Sequence, residues 1–109
     1  KRVDMPTRTW RHLWRNASNG GKFNFNWPII TRHSVVLITA AEARLLGRPH
    51  FTGPDRFIGA AVRMHVTNIA PHDNAGGVEF MIFWDGNFPT LNVWTDITVF
   101  DPADFVGEN

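Results

Sequence analysis

The chain has 109 residues, with 11 Lys and Arg against 10 Asp and Glu, 43% apolar residues and no cysteine. That is one domain's worth of chain with enough apolar content to bury a core unaided, which excludes disorder as the main state. The missing cysteine excludes a disulfide framework, a thiolate nucleophile and a zinc ribbon, and no apolar run approaches the roughly eighteen residues that a membrane-spanning helix requires.

The net charge of +1 hides a split: residues 1–33 hold seven bases and one acid, and residues 34–109 hold four bases and nine acids. Such asymmetry fits a basic arm that seeks an acidic partner or one folded onto its own acidic body. The second needs no other molecule. The first residue is Lys1 rather than methionine, so a trimmed or processed start is expected, and compartment is not readable.

The whole chain, 1–109, reads as a single domain with a basic arm over 1–22, a β core over 23–100 and a tail over 101–109. Trp10, Leu13 and Trp14 fall at i, i+3 and i+4, with Arg8, Arg11 and Arg15 on the opposite stripe, which predicts a short amphipathic helix or turn near 7–15 in an otherwise irregular N-terminus. Asn16-Ala17-Ser18 matches the glycosylation sequon, a motif short enough to arise by chance. Asn16 to Gly21 reads as a loop. Phe23, Phe25 and Trp27 alternate with Asn24 and Asn26, the period of a strand with one buried face, and Pro28 ends it or places it at an edge.

Ser34 to Ile38 is a β-branched run and predicts a buried strand. Thr39 and Glu42 have capping-box spacing, Ala40 to Leu46 favours helix, and Gly47 and Pro49 stop it, so a short helix is expected at 40–46. Arg56 to Asn68 predicts a long strand with Ile58, Ala60, Val62, Met64 and Val66 on one face. Pro71 to Gly77 is turn-rich, Val78 to Asp85 is a second strand, and Leu91 to Phe100 is a third. Joined by the shortest connections, these three make an antiparallel meander. The fold expected is mainly β: a small antiparallel barrel or sandwich of five or six strands, with Gly59, Gly76, Gly77 and Gly86 placed where a curled sheet bends.

The second face of that meander gathers Arg63, His65 and Thr67 from the first strand and Glu79, Met81, Phe83 and Asp85 from the second. In one register it adds Asn92, Trp94, Asp96 and Thr98 from the third. A solvated face carries few large apolar groups, whereas aromatic and ionisable groups mixed together line ligand pockets and polar interfaces. Arg63, Met81, Phe83 and Trp94 are the candidate ligand-binding residues. His65 beside Asp96 or Glu79 would be an oriented imidazole able to move a proton near neutral pH, and Arg63 would hold a carboxylate or oxyanion. The blander account of the same residues is an Arg63–Glu79 cross-strand pair on a wet face.

The five histidines show no metal-ligand spacing, no glycine-rich phosphate loop has its flanking context, and neither serine lies in a nucleophile elbow. No metal or cofactor is expected. The leading expectation is a non-catalytic ligand-binding or assembly domain that uses the mixed face, taking a small molecule or sugar and self-associating, with a symmetric dimer as the default. The competing one is a small cofactor-free isomerase, cyclase or hydrolase built on His65, Asp96 and Glu79. A third, weaker on charge grounds, is nucleic-acid binding through the Arg/Trp segment RTWRHLWR, since the rest of the chain is acidic.

Overall fold

The computed structural model describes residues 7–44, 58–59 and 61–109. Among these the protein is mainly β, with no helix: six strands of six or more residues and a two-residue strand, β4. β1 (Arg8–Ser18), β7 (Thr90–Phe100), β3 (Val35–Ala43) and β4 (Ile58–Gly59) form one sheet in that order, and β2 (Gly21–Asn26), β6 (Gly77–Trp84) and β5 (Met64–His72) form the other. All pairings are antiparallel. The two sheets lie face to face as a sandwich and do not close into a barrel.

The inner layer follows from strand alternation. Phe25 from β2, Ile38 from β3, Val78, Phe80, Ile82 and Trp84 from β6, and Val93, Ile97 and Val99 from β7 make the buried core. At roughly 25 cal/mol per Å2 of apolar surface removed from water, such side chains contribute about 1.5–3 kcal/mol each. Along the side where β1 and β2 border the gap, no backbone ladder joins the sheets, and aromatic rings fill it. Trp10 meets Phe25 and Trp27 at 5.1 and 5.4 Å, and His12 meets Phe25 at 5.1 Å. Trp14 meets Phe23 at 5.0 Å, and Phe23 stacks on Phe80 at 5.5 Å. Edge-on aromatic pairs of this kind add about 0.5–1.5 kcal/mol beyond their burial. The Trp14 indole N–H donates to Thr95 Oγ1 at 2.9 Å, and that hydroxyl donates to the His12 carbonyl at 3.3 Å.

Four expectations are corrected. The helix or turn near 7–15, and with it the irregular N-terminal segment where it is described, is replaced by β1, residues 1–6 lying outside the described ones: Trp10, His12 and Trp14 alternate inward, and Arg11 and Leu13 turn outward. The helix at 40–46 is absent over 40–43, where β3 continues, paired with β7 from Val35↔Phe100 to Glu42↔Val93; residues 45–46 lie outside the described ones. A capping box is a local option with a bias of tenths of a kcal/mol per residue, and the ladder with Ile38 and Ala40 packed inward outweighs it. The long strand predicted from Arg56 is interrupted: β4 pairs with β3 in one sheet, β5 begins at Met64 in the other, and residues 51–57 and 60 lie outside the described ones. Last, the meander does not form, because after Trp84 the chain crosses to the other sheet and β7 pairs with β1 and β3.

The basic N-terminal half does meet acids of the other half. Arg11 Nε reaches Asp96 Oδ1 at 2.8 Å, Lys22 reaches Glu79 at 3.5 Å, and Arg32 reaches Asp73 at 3.4 Å. No helix of the described residues is long and apolar enough to cross a membrane.

Candidate functional site

The outer face of the sheet β2-β6-β5 carries most of the residues singled out from sequence. Inward Val78, Phe80, Ile82 and Trp84 force Glu79, Met81, Phe83 and Asp85 outward on β6. Register then sets their neighbours: His65 is opposite Phe83, Thr67 opposite Met81, Lys22 opposite Met81 and Asn24 opposite Glu79. Arg63 lies beside Asp85, whose amide donates to the Arg63 carbonyl at 3.1 Å. From Gly77 to Asp85 this strip runs about 27 Å at ~3.4 Å per residue.

The strip has two chemically different ends. At one, His72 reaches across β6 to β2, its Nε2 lying 2.7 Å from Asn24 Oδ1 and its Nδ1 3.0 Å from the Asn74 carbonyl. Asn24 Nδ2 donates to Asn26 Oδ1 at 2.9 Å. The ring crosses over Gly77, where a Cβ would stand 3.0 Å from His72 Cε1 and 2.6 Å from the Phe25 carbonyl oxygen; only glycine leaves that path open. Asn24, Asn26, His72, Asn74 and Glu79 line an open cleft of about 430 Å3 here. At the other end Arg63 Nε and His65 Nε2 approach the Asp85 carboxylate at 3.7 and 4.0 Å. Phe83, 39% exposed, belongs to this second end, opposite His65, its ring close against the Ser18–Gly21 turn, where a Cβ on Gly20 would come within 3.1 Å of it.

Two predicted residues are elsewhere. Trp94 and Asp96 lie on β7, on the outer face of the other sheet, so the whole thickness of the sandwich, with inter-sheet spacing of about 10 Å, separates them from His65. Asp96 is held by Arg11 through two contacts, 2.8 Å from Nε and 3.2 Å from the guanidinium NH2. Trp94 is buried beside Leu13 and Ala41 in register. Glu79 shares the face with His65 but lies four residues along β6 from Phe83, about 13 Å away. The His65–Asp96 and His65–Glu79 pairings are therefore not formed, and the carboxylate that His65 does approach is Asp85.

Sequence reasoning missed the polar end. Lys22, Asn24 and Asn26 were visible as the outward set of β2, but nothing local says that β2 pairs with β6. His72 read as a turn residue, although β5 extends to it. Of the histidines, His12 shows a shifted titration: burial among rings lowers its pKa from the ordinary 6.5. Among the described residues no group of three or more His, Cys, Asp or Glu is placed to hold a metal ion. Compared with protein-family models, with curated proteins and with solved structures, the chain matches none.

Proposed function

We propose that the domain is a non-catalytic binding module whose ligand lies along the outer face of β2-β6-β5, and that the ligand is a hydroxyl-rich molecule of the sugar class. The observation that carries this reading is the convergence of three amides, an imidazole and a carboxylate on one open cleft, in line with a half-exposed phenyl ring. Planar amide and carboxylate groups fix paired hydroxyls by direction, and an aromatic face takes the apolar side of a sugar ring. The length of the strip favours an extended chain over a single ring. An acid/base role loses support, because His65 lies on an open surface with Asp85 4.0 Å away, without an enclosed space to exclude water. Nucleic-acid binding loses support as well, since Trp14 is engaged with Thr95 and Arg11 with Asp96.

The test is a panel of neutral oligosaccharides titrated against the labelled protein, with amide shifts mapped by NMR. Shifts confined to β2, β5 and β6, with affinity falling at least tenfold in Asn24→Ala and in Phe83→Ala and unchanged within a few-fold in His65→Ala, support the reading. Its overthrow would be no shift on this face up to about 10 mM ligand, weaker than any useful affinity, or shifts located on β1 and β7.

A further inference from the structure

Two pairs in the chain place an asparagine or aspartate directly before glycine, Asn19–Gly20 and Asp85–Gly86. Such pairs share a latent reaction. The glycine amide nitrogen attacks the side-chain carbonyl carbon and closes a five-membered ring, and glycine favours this because no Cβ shields the nitrogen. Asparagine is intrinsically the faster of the two, since an aspartate must first take up a proton. The fold treats the two pairs in opposite ways.

At Asn19 both reacting groups are committed. The Gly20 amide donates to the Ile82 carbonyl at 2.8 Å, and the Asn19 side chain is clamped on the Trp84 backbone by two hydrogen bonds of 2.9 Å. At Asp85 neither group is held. The Gly86 N–H meets no acceptor among the described residues, and it lies just past the end of β6 in an exposed stretch without regular structure. The Asp85 side chain is 64% exposed, and its contacts with Arg63 and His65 are long, 3.7 and 4.0 Å; exposed pairs of that kind hold a side chain weakly. Gly86 has a φ of +100°, a conformation that glycine keeps without strain, so the turn that ends β6 needs the residue that makes Asp85 reactive.

We propose that Asp85–Gly86 is a site of spontaneous isomerisation, converted through a succinimide to an isoaspartyl linkage, while the fold holds the more reactive Asn19–Gly20 pair inert. In the acid form of Asp85 the Gly86 nitrogen bonds to Cγ and the Cγ–OH bond breaks, the hydroxyl leaving as water with the amide proton. Water then adds at the former main-chain carbonyl of Asp85, and the bond from that carbon to the Gly86 nitrogen breaks. The chain now runs through Cβ and Cγ, the former carbonyl carbon carries the carboxylate, and one water has left and one has entered. The product lengthens the backbone by one carbon at the exit of β6 and withdraws the carboxylate from Arg63 and His65.

The test holds the native chain for weeks at neutral pH and body temperature, beside a sample unfolded in urea, with tryptophan fluorescence confirming the folded state of the first. Peptide mapping and labelling by an isoaspartyl methyltransferase locate the product. In the folded protein isoaspartate should build up at Asp85 and stay absent at Asn19. In urea Asn19 should convert at least ~10-fold faster than it does folded, as loss of a closed, hydrogen-bonded turn implies, and should overtake Asp85. Asp85→Glu keeps the carboxylate but would need a six-membered ring, so the label at this position should vanish with the fold intact. Conversion of Asn19 ahead of Asp85 in the folded protein, no isoaspartate at Asp85 in that sample, or a label undiminished in Asp85→Glu would each overturn the proposal.

Discussion

Asn19 sits in the turn between β1 and β2 and does the work of a missing strand neighbour. Its Nδ2 donates to the Trp84 carbonyl and its Oδ1 accepts from the Trp84 amide, both at 2.9 Å. Trp84 is 4% exposed, so its backbone has no ready access to water. Asn19→Ala removes two neutral hydrogen bonds and strands a buried N–H, for a total loss of about 2–4 kcal/mol. For a chain of this size each kcal/mol moves Tm by roughly 4 °C, so the midpoint should fall by about 10 °C or more. With five tryptophans and no tyrosine, indole fluorescence during urea unfolding gives the free-energy change directly, and the m-value should stay as it was. Hydrogen exchange at the Trp84 amide supplies the local readout and should lose its protection in the variant. A loss below about 0.5 kcal/mol, or an amide that remains protected, would show that water or a shifted backbone replaces the side chain and that Asn19 is not what ends β6. The consequence reaches the ligand face, because Phe83, the residue before Trp84, packs against Gly20 of the same turn.

Two other changes test the packing. Gly77→Ala drives a Cβ to 2.6 Å from the Phe25 carbonyl oxygen and 3.0 Å from the His72 ring, so it should cost at least ~2 kcal/mol in urea unfolding and collapse the Asn24–His72 contact; a variant as stable as the parent would disprove the crowding. The lowered pKa of His12 predicts acid sensitivity. Above the unfolded value of 6.5 the ring is neutral in both states and stability is complete. As pH falls through 6.5 toward the lower folded value, the unfolded chain takes up the proton first and stability declines. His12→Phe should flatten that decline in urea midpoints measured from pH 7.5 to 5, and an unchanged slope would remove His12 as its source.

Those elements whose two faces differ were legible in the sequence. β2 alternates Phe23 and Phe25 with Lys22, Asn24 and Asn26, and β6 alternates Val78, Phe80 and Ile82 with Glu79 and Met81, so inner and outer sides could be told apart and the outer face could be assembled in part. β1 and β3 were hard for the opposite reason. Leu13 projects outward beside Trp94, and Val35 and Leu37 project outward while Val36 and Ile38 point in, so apolar residues occupy both faces and the period of two is blurred. In β1 the arginines then completed a false helical stripe. The sheet change after Trp84 was invisible because its fasteners are distant in sequence or irregular: Asn19 on the Trp84 backbone, and the Trp84 indole N–H donating to the Phe88 carbonyl at 2.7 Å. That one crossing moved Trp94 and Asp96 to the far side of the molecule and removed one of the two acids that the sequence offers His65.

The same crossing assigns the tryptophans their work. Because β1 and β2 belong to different sheets, the gap between them has no hydrogen-bond ladder, and Trp10, Trp14 and Trp27 close it with rings that touch other rings. The proposed recognition uses a surface whose inner side is already committed to packing. The outer side of β2-β6-β5 is polar and directional.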